Sequence, residues 1–186
     1  MVSAPTSLLI ENAELFEKTK ILSITDGLTQ LYNRRHFEEV LERLFMNAKN
    51  SHSPLSLSIC DVDYFKHYND VNGHPAGDFV LKKLAEILKK GVKGSDIVAR
   101  YGGEEFVIIF PNTTKENAKK VCETLNKKIK EYKFPNEKSQ PNGDLTVSFG
   151  IANFPEDATT PQELIEKADI ALYKAKSTGR DKVVTV

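Results

Sequence analysis

Residues 100–106, RYGGEEF, lie between two strand-like runs, DIVAR (96–100) and FVIIF (106–110). Two glycines between such runs predict a tight β-hairpin, because hairpin turns call for positive φ. Glycine also lets a ligand approach the backbone closely. Glu104 and Glu105 at the tip repel each other unless a cation lies near them. A solvated acidic turn is the competing reading of the same residues.

The hairpin belongs to a longer alternation of elements. Residues 34–49 place Phe37, Val40, Leu41, Leu44, Phe45 and Ala48 on one helical face, with Asn33 as N-cap. PLSLSICDVD (54–63) alternates Leu55, Leu57 and Ile59, which predicts a strand. A short helix, YFKHYNDV, follows and ends at Gly73. A second helix spans 76–90, with Phe79, Val80, Leu84, Ile87 and Leu88 toward the core. After the hairpin come a helix over 115–131, a loop over 136–143 and a strand over 144–154. A helix over 161–177 stops at Gly179, and KVVTV is a last short strand. Strand, helix, hairpin, helix, strand is the order of an α+β fold of the split βαβ type, a βαββαβ core with flanking helices and a mainly antiparallel sheet. A chain of 186 residues is long enough for one domain with a sizeable core. Residues 8–22 read as a further helix with few apolar positions.

The charge balance narrows the function. With 26 basic and 26 acidic side chains the chain carries no net charge, which argues against a general nucleic-acid or anionic-membrane binder. Cys60 and Cys122 both sit in apolar stretches and read as core thiols of a reducing compartment. No apolar run reaches the roughly 18 residues of a membrane span. The first ten residues lack the basic start and apolar stretch of a secretory signal. The expectation is a cytoplasmic location.

Two acid pairs carry the chemistry. Asp61 and Asp63 are two apart at the end of a strand, so their side chains share a face. If that strand neighbours the hairpin, Asp61 and Glu104 converge. Hard carboxylate oxygens suit Mg²⁺, which takes one or two protein carboxylates and completes its shell from phosphate oxygens. An ordinary strand terminus is the other reading of DVD.

DGLTQLYNRRHF (26–37), DVDYFKHYNDVNGHPAGD (61–78), RYGGEEF, VSFGIA (147–152) and ADIALYKAKSTGRDKV (168–183) stand in the order and spacing of the GGDEF family of diguanylate cyclase domains, which the chain resembles. The resemblance implies a nucleotidyl-cyclase or polymerase-palm fold. It implies condensation of two GTP into cyclic di-GMP and pyrophosphate by a homodimer, each subunit presenting one GTP. It assigns Asp61, Glu104 and the carbonyl of Val62 to magnesium, with manganese as an alternative. The amides of Tyr64 and Phe65, and the side chains of Lys66, Lys176 and Arg180, meet the triphosphate in the family. Asn69 and Asp78 match its guanine-binding pair. His74, Arg100, Gly102 and Gly103 complete the expected substrate surface, with a structural role for His74 equally open. Glu105 is the candidate to receive the proton of the attacking 3′-hydroxyl, and Lys66 is its partner in catalysis. The resemblance makes residues 1–23 a connector from an N-terminal sensor module and 24–186 the catalytic domain.

The sequence departs from the family pattern in two places. Glutamate stands at position 104 where the family's name has aspartate. The inhibitory Arg-x-x-Asp becomes KGSD, with Lys93 in place of arginine and Asp96 retained. Lysine keeps the charge but loses the planar fork. A catalytically silent domain that binds GTP or cyclic di-GMP is the alternative function.

Overall fold

A computed structural model describes residues 24–186. The expected 8–22 helix and the 1–23 connector lie outside the described residues. The elements run α1 (Arg34–Ser51), β1 (Leu55–Val62), α2 (Phe65–Asn72), α3 (His74–Gly91), β2 (Ile97–Gly102), β3 (Glu105–Pro111), α4 (Lys115–Glu131), β4 (Val147–Phe154), α5 (Pro161–Ser177) and β5 (Val183–Thr185). Among the described residues they form one α+β layer structure around a five-stranded sheet of order β2-β3-β1-β4-β5. Pairing is antiparallel except for β4 with β5, which run parallel.

β1 lies at the centre, and all eight of its residues are buried. Leu55, Leu57 and Ile59 pack with α1 and α5 on one face, through Phe37, Leu41, Phe45, Leu164, Ala168 and Leu172. Cys60 and Val62 face α3 and α4 through Leu84, Leu88, Cys122 and Leu125. Helices therefore cover both faces. Each fully buried leucine or phenylalanine contributes about 1.5–3 kcal/mol relative to an exposed one. The small polar Ser56 fits in this interior because its hydroxyl donates to the Thr113 carbonyl and accepts from Asn153 Nδ2, both at 2.8 Å.

Local chemistry sets the helix starts. Asn33 Oδ1 accepts from the His36 amide at 2.9 Å, and Thr160 Oγ1 accepts from the Glu163 amide at 3.1 Å. α5 lies so close to β4 that a Cβ on Gly150 would run into the backbone of Leu172 and Ala168. That approach places the C-terminal end of α5, with Lys176, beside the end of β1.

The structure corrects several sequence expectations. α3 begins at His74, two residues early, because Gly73 serves as its N-cap after ending α2. Phe79 is 44% exposed rather than a core residue, while Gly77 and Leu81 take the inner positions. The strand expected over 144–154 starts at Val147. The 136–143 loop contains a short 3₁₀ turn, Glu137–Ser139. In the hairpin Gly102 belongs to β2, and Gly103 alone of the pair has positive φ, at 25°. The register shifts between Arg100 and Gly102, a bulge at Tyr101 that absorbs the extra residue.

Candidate active site

β1 and the hairpin are neighbours, so the two acid pairs meet. Asp61 lies directly across from Glu105, and the Val62 amide donates to the Glu104 carbonyl at 3.4 Å. Asp61 is 7% exposed. Burial pushes its carboxyl up to about 6, and the nearby Glu104 and Glu105 push the same way. Lys176 opposes them, its ammonium 2.9 Å from Asp61 Oδ2. The end of β1 is thus a concentration of negative charge met by one cation.

A cleft of about 530 Å³ opens beside these acids, lined by Phe65, Lys66, Asn69, Asp70, His74, Asp78, Leu81, Arg100, Gly103 and Glu104. Eight of the residues carried by the family resemblance therefore line one cleft: Phe65, Lys66, Asn69, His74, Asp78, Arg100, Gly103 and Glu104. Asn69 presses against Gly77, where a Cβ would collide with its amide, and Asn69 Oδ1 is buried without a hydrogen-bond partner. A buried acceptor left open costs about 1–3 kcal/mol. Asp78 is exposed, one turn along α3 from His74.

The phosphate candidates stand at the start of α2. Tyr64 adopts φ 56°, and the amides of the first turn lack intrahelical acceptors. The Arg180 guanidinium lies 4.3 Å from the Tyr64 ring centroid and donates to the Tyr64 hydroxyl at 3.2 Å. Lys66 is exposed and donates to Asp70 at 2.8 Å, which raises its pKa.

Other residues are placed differently from a simple ligand wall. Arg100 already has partners: Nε and Nη2 donate to the Gly103 carbonyl at 3.0 and 2.7 Å, and Nη1 donates to both oxygens of Asp26 at 3.1 and 3.2 Å. Its guanidinium ties the hairpin turn to the segment before α1. Burial pulls Asp26 upward, but Thr29 and Arg100 outweigh it and lower its pKa. Glu105 lies on the α1 and α5 side with Asp61, away from the cleft lining. Lys93 and Asp96 sit apart, on a second cleft of about 540 Å³ lined also by Tyr32 and Lys89. There the Lys93 amide donates to Asp96 Oδ2 at 2.9 Å.

One acid, Asp26, escapes the sequence reading, and another, Asp63, enters it only as the neighbour of Asp61 on the same face. Asp26 has just been placed. Asp63 shares a face with Asp61 but is satisfied internally, accepting from Thr146 Oγ1 at 2.8 Å, Ser148 Oγ at 2.7 Å and the Asp181 amide at 3.1 Å. It fixes the end of β1 to β4 and to the loop that carries Arg180. The alternation of Thr146 and Ser148 in LTVSF was the signal available for it.

Residues 23–182 match the family described as "Diguanylate cyclase, GGDEF domain". The chain is 36% identical over 163 residues to the response regulator PleD of Caulobacter vibrioides, covering 88% of this chain and 36% of PleD. It is 34% identical over 185 residues to diguanylate cyclase A of Treponema denticola, covering 98% and 48%. The chain spans less than half the length of these relatives. Among solved structures it is similar to the coiled coil and GGDEF domain of DgcB from Caulobacter crescentus in complex with c-di-GMP, with TM-score 0.88, 30% identity and coverage of 97% and 95%. It is also similar to the active GGEEF domain of a diguanylate cyclase from Vibrio cholerae, with TM-score 0.76, 31% identity and coverage of 82% and 96%. The chain belongs to the GGDEF family of diguanylate cyclase domains.

Proposed function

We propose that this domain joins two GTP molecules into cyclic di-GMP and releases two pyrophosphates. The observation that carries the reading is the buried Asp61, crowded by Glu104 and Glu105 and answered by Lys176, next to a cleft of about 530 Å³ that Glu104 itself lines. In each half-reaction the 3′-hydroxyl of one GTP attacks the α-phosphorus of the other. A new P–O bond forms, the bond to pyrophosphate breaks, and the hydroxyl proton passes to Glu105. Two half-sites must face each other, so the working species is a dimer.

The donor set fits a hard divalent cation, since its oxygens are carboxylates and a carbonyl and its charge is in excess. Asp61, Glu104 and the Val62 carbonyl would hold magnesium, or manganese, whose chemistry there is neutralisation of triphosphate charge. The first-turn amides of α2 bind phosphate oxygens. Lys176 leaves Asp61 for the terminal phosphates, and Arg180 joins it. Lys66 answers the charge that builds up as pyrophosphate departs. Asn69 and Asp78 hold the guanine edge. The glutamate at 104 is supported as an active variant by the Vibrio cholerae GGEEF domain.

Cytoplasmic GTP would supply the reaction; among the described residues no helix is long and apolar enough to cross a membrane. Residues 1–23 would connect the domain to a sensor module, a reading supported by the greater length of the relatives.

The test is incubation of purified protein with Mg²⁺ and GTP, with chromatography of the products over a range of protein concentrations. Cyclic di-GMP should form, at a rate rising faster than linearly with protein. Asp61→Ala and Glu104→Ala should abolish it while the circular dichroism spectrum is unchanged. GTP binding without product would establish the silent alternative instead.

A further inference from the structure

The cleft wall formed by α2 is held from behind by the segment between α4 and β4. α2 has eight residues, too few to be stable alone. It buries only Phe65 and Tyr68. On one side it packs against α3, where Phe65 and Asn69 lie against Gly77, and on the other its polar side chains reach residues 135–140. The Tyr68 hydroxyl, on a fully buried side chain, donates to the Pro135 carbonyl at 2.5 Å. His67 Nε2 lies 2.9 Å from the Ser139 carbonyl, which can only accept, so Nε2 carries the proton. Asn72 Nδ2 donates to Ser139 Oγ at 3.2 Å and to the Tyr68 carbonyl at 3.1 Å. At the other end, buried Gln140 donates through Nε2 to the Asp63 carbonyl at 3.3 Å. The segment is itself braced: Glu137, 4% exposed, accepts from the Phe134 amide at 3.3 Å and pairs with Lys133 at 3.4 Å.

These contacts bracket the helix from Asp63, just before its start, to Asn72, its last residue. The opposite side of the same helix presents Lys66, Asn69 and Asp70 to the cleft. Tyr68 and Asn69 are adjacent, so any rotation or slide of the helix that breaks the Tyr68 bond also moves Asn69 relative to Asp78, which stands on α3.

We propose that residues 135–140 form a strap that positions α2, with Tyr68 and His67 as positioning residues that set the affinity and base selectivity of the nucleotide cleft. The strap's hydrogen bonds go to Asp63, His67, Tyr68 and Asn72, none of which lines the cleft, so it acts through the helix. The inference rests on the nucleotide reading of that cleft. A partner that pulled the strap away would weaken GTP binding without entering the site.

Tyr68→Phe removes the strap hydrogen bond and keeps the ring. One hydrogen bond is worth about 1 kcal/mol, or about fivefold in a dissociation constant. His67→Ala changes an exposed side chain and is the second variant. The probes are 3′-deoxy-GTP, which binds but offers no nucleophile, and 3′-deoxy-ITP, which lacks the exocyclic amine. Titration at 25 °C in Mg²⁺ should give about fivefold weaker 3′-deoxy-GTP binding in each variant, and a smaller preference for guanine over hypoxanthine. Turnover at saturating GTP should stay within about twofold of wild type on the same footing. If both variants lower the melting temperature but leave affinity and base preference unchanged, the strap is only structural and the proposal fails. If the wild type binds 3′-deoxy-GTP but makes no cyclic di-GMP, the cyclase reading falls while the same titrations still decide the strap. Wild type that binds neither probe overturns both.

Discussion

Lys176 Nζ lies 2.9 Å from Asp61 Oδ2, joining the C-terminal end of α5 to the end of the central strand. The two residues are 115 positions apart; Asp61 is a candidate metal ligand and Lys176 a candidate contact for the terminal phosphates. In the absence of divalent ion the ammonium compensates a carboxylate that burial would otherwise neutralise.

Stability without divalent ion should therefore fall with rising pH. Asp61 has a pKa of about 6 in the fold against 3.8 when unperturbed. The folded state binds more protons between these values, so the slope of unfolding free energy with pH is negative there. The stabilisation is full below 3.8 and is lost as pH rises through about 6. The effect is on the order of 1–3 kcal/mol. Melting temperatures in EDTA from pH 4.5 to 7 should decline for wild type relative to Asp61→Asn, and Mg²⁺ above pH 6 should restore the wild type. Parallel curves for the two proteins would show that Asp61 is not the titrating group.

Arg100→Lys should loosen the hairpin. A lysine cannot bond the Gly103 carbonyl with two N–H groups and also face both oxygens of Asp26. The expected loss is about 1–2 kcal/mol, or about 2–8 °C in melting temperature. Asp26→Asn should cost a similar amount, and the double variant less than the sum, because the residues share one interaction. Strict additivity in thermal melts would contradict the assignment.

Asp78→Ser should relax selection against ATP. Aspartate only accepts hydrogen bonds, which suits the N1–H and amine of guanine, whereas serine can also donate. A GTP and ATP competition assay should show discrimination reduced by at least about tenfold on the scale of one lost paired contact. Unchanged discrimination would remove Asp78 from the base contacts.

Lys93→Arg should tighten product inhibition. At this site Asp96 is retained and already oriented by the Lys93 amide. Arginine restores a fork that can make two parallel bonds to a phosphate or guanine edge, worth about 1.5–3 kcal/mol and tenfold or more in affinity. Titration of cyclic di-GMP against both proteins checks it, and superimposed inhibition curves would show the site unused.

Periodicity and capping made most of the fold legible. α4 and α5 have the bounds read from their apolar spacing, and Asn33 caps α1 as its side chain predicts. The acid pairs were legible because strand alternation puts Asp61 and Asp63 on one face and glycine marks the hairpin. Motif order carried the family, which the comparisons establish.

Tertiary structure decided which of two similar acids does what. Asp63 is consumed by Thr146, Ser148 and Asp181, while Asp61 faces Lys176. No local pattern separates two aspartates at i and i+2, because their partners come from segments about 80 to 120 residues away and burial is a property of the assembled sheet. Arg100 is a similar case: the resemblance places it on the substrate surface, it does line the cleft, and packing also ties its guanidinium to Asp26 and Gly103. The sequence determined which groups are available, through spacing along one chain. Their charge state and partners depend on desolvation and on long-range approach, which exist only once the layers have packed.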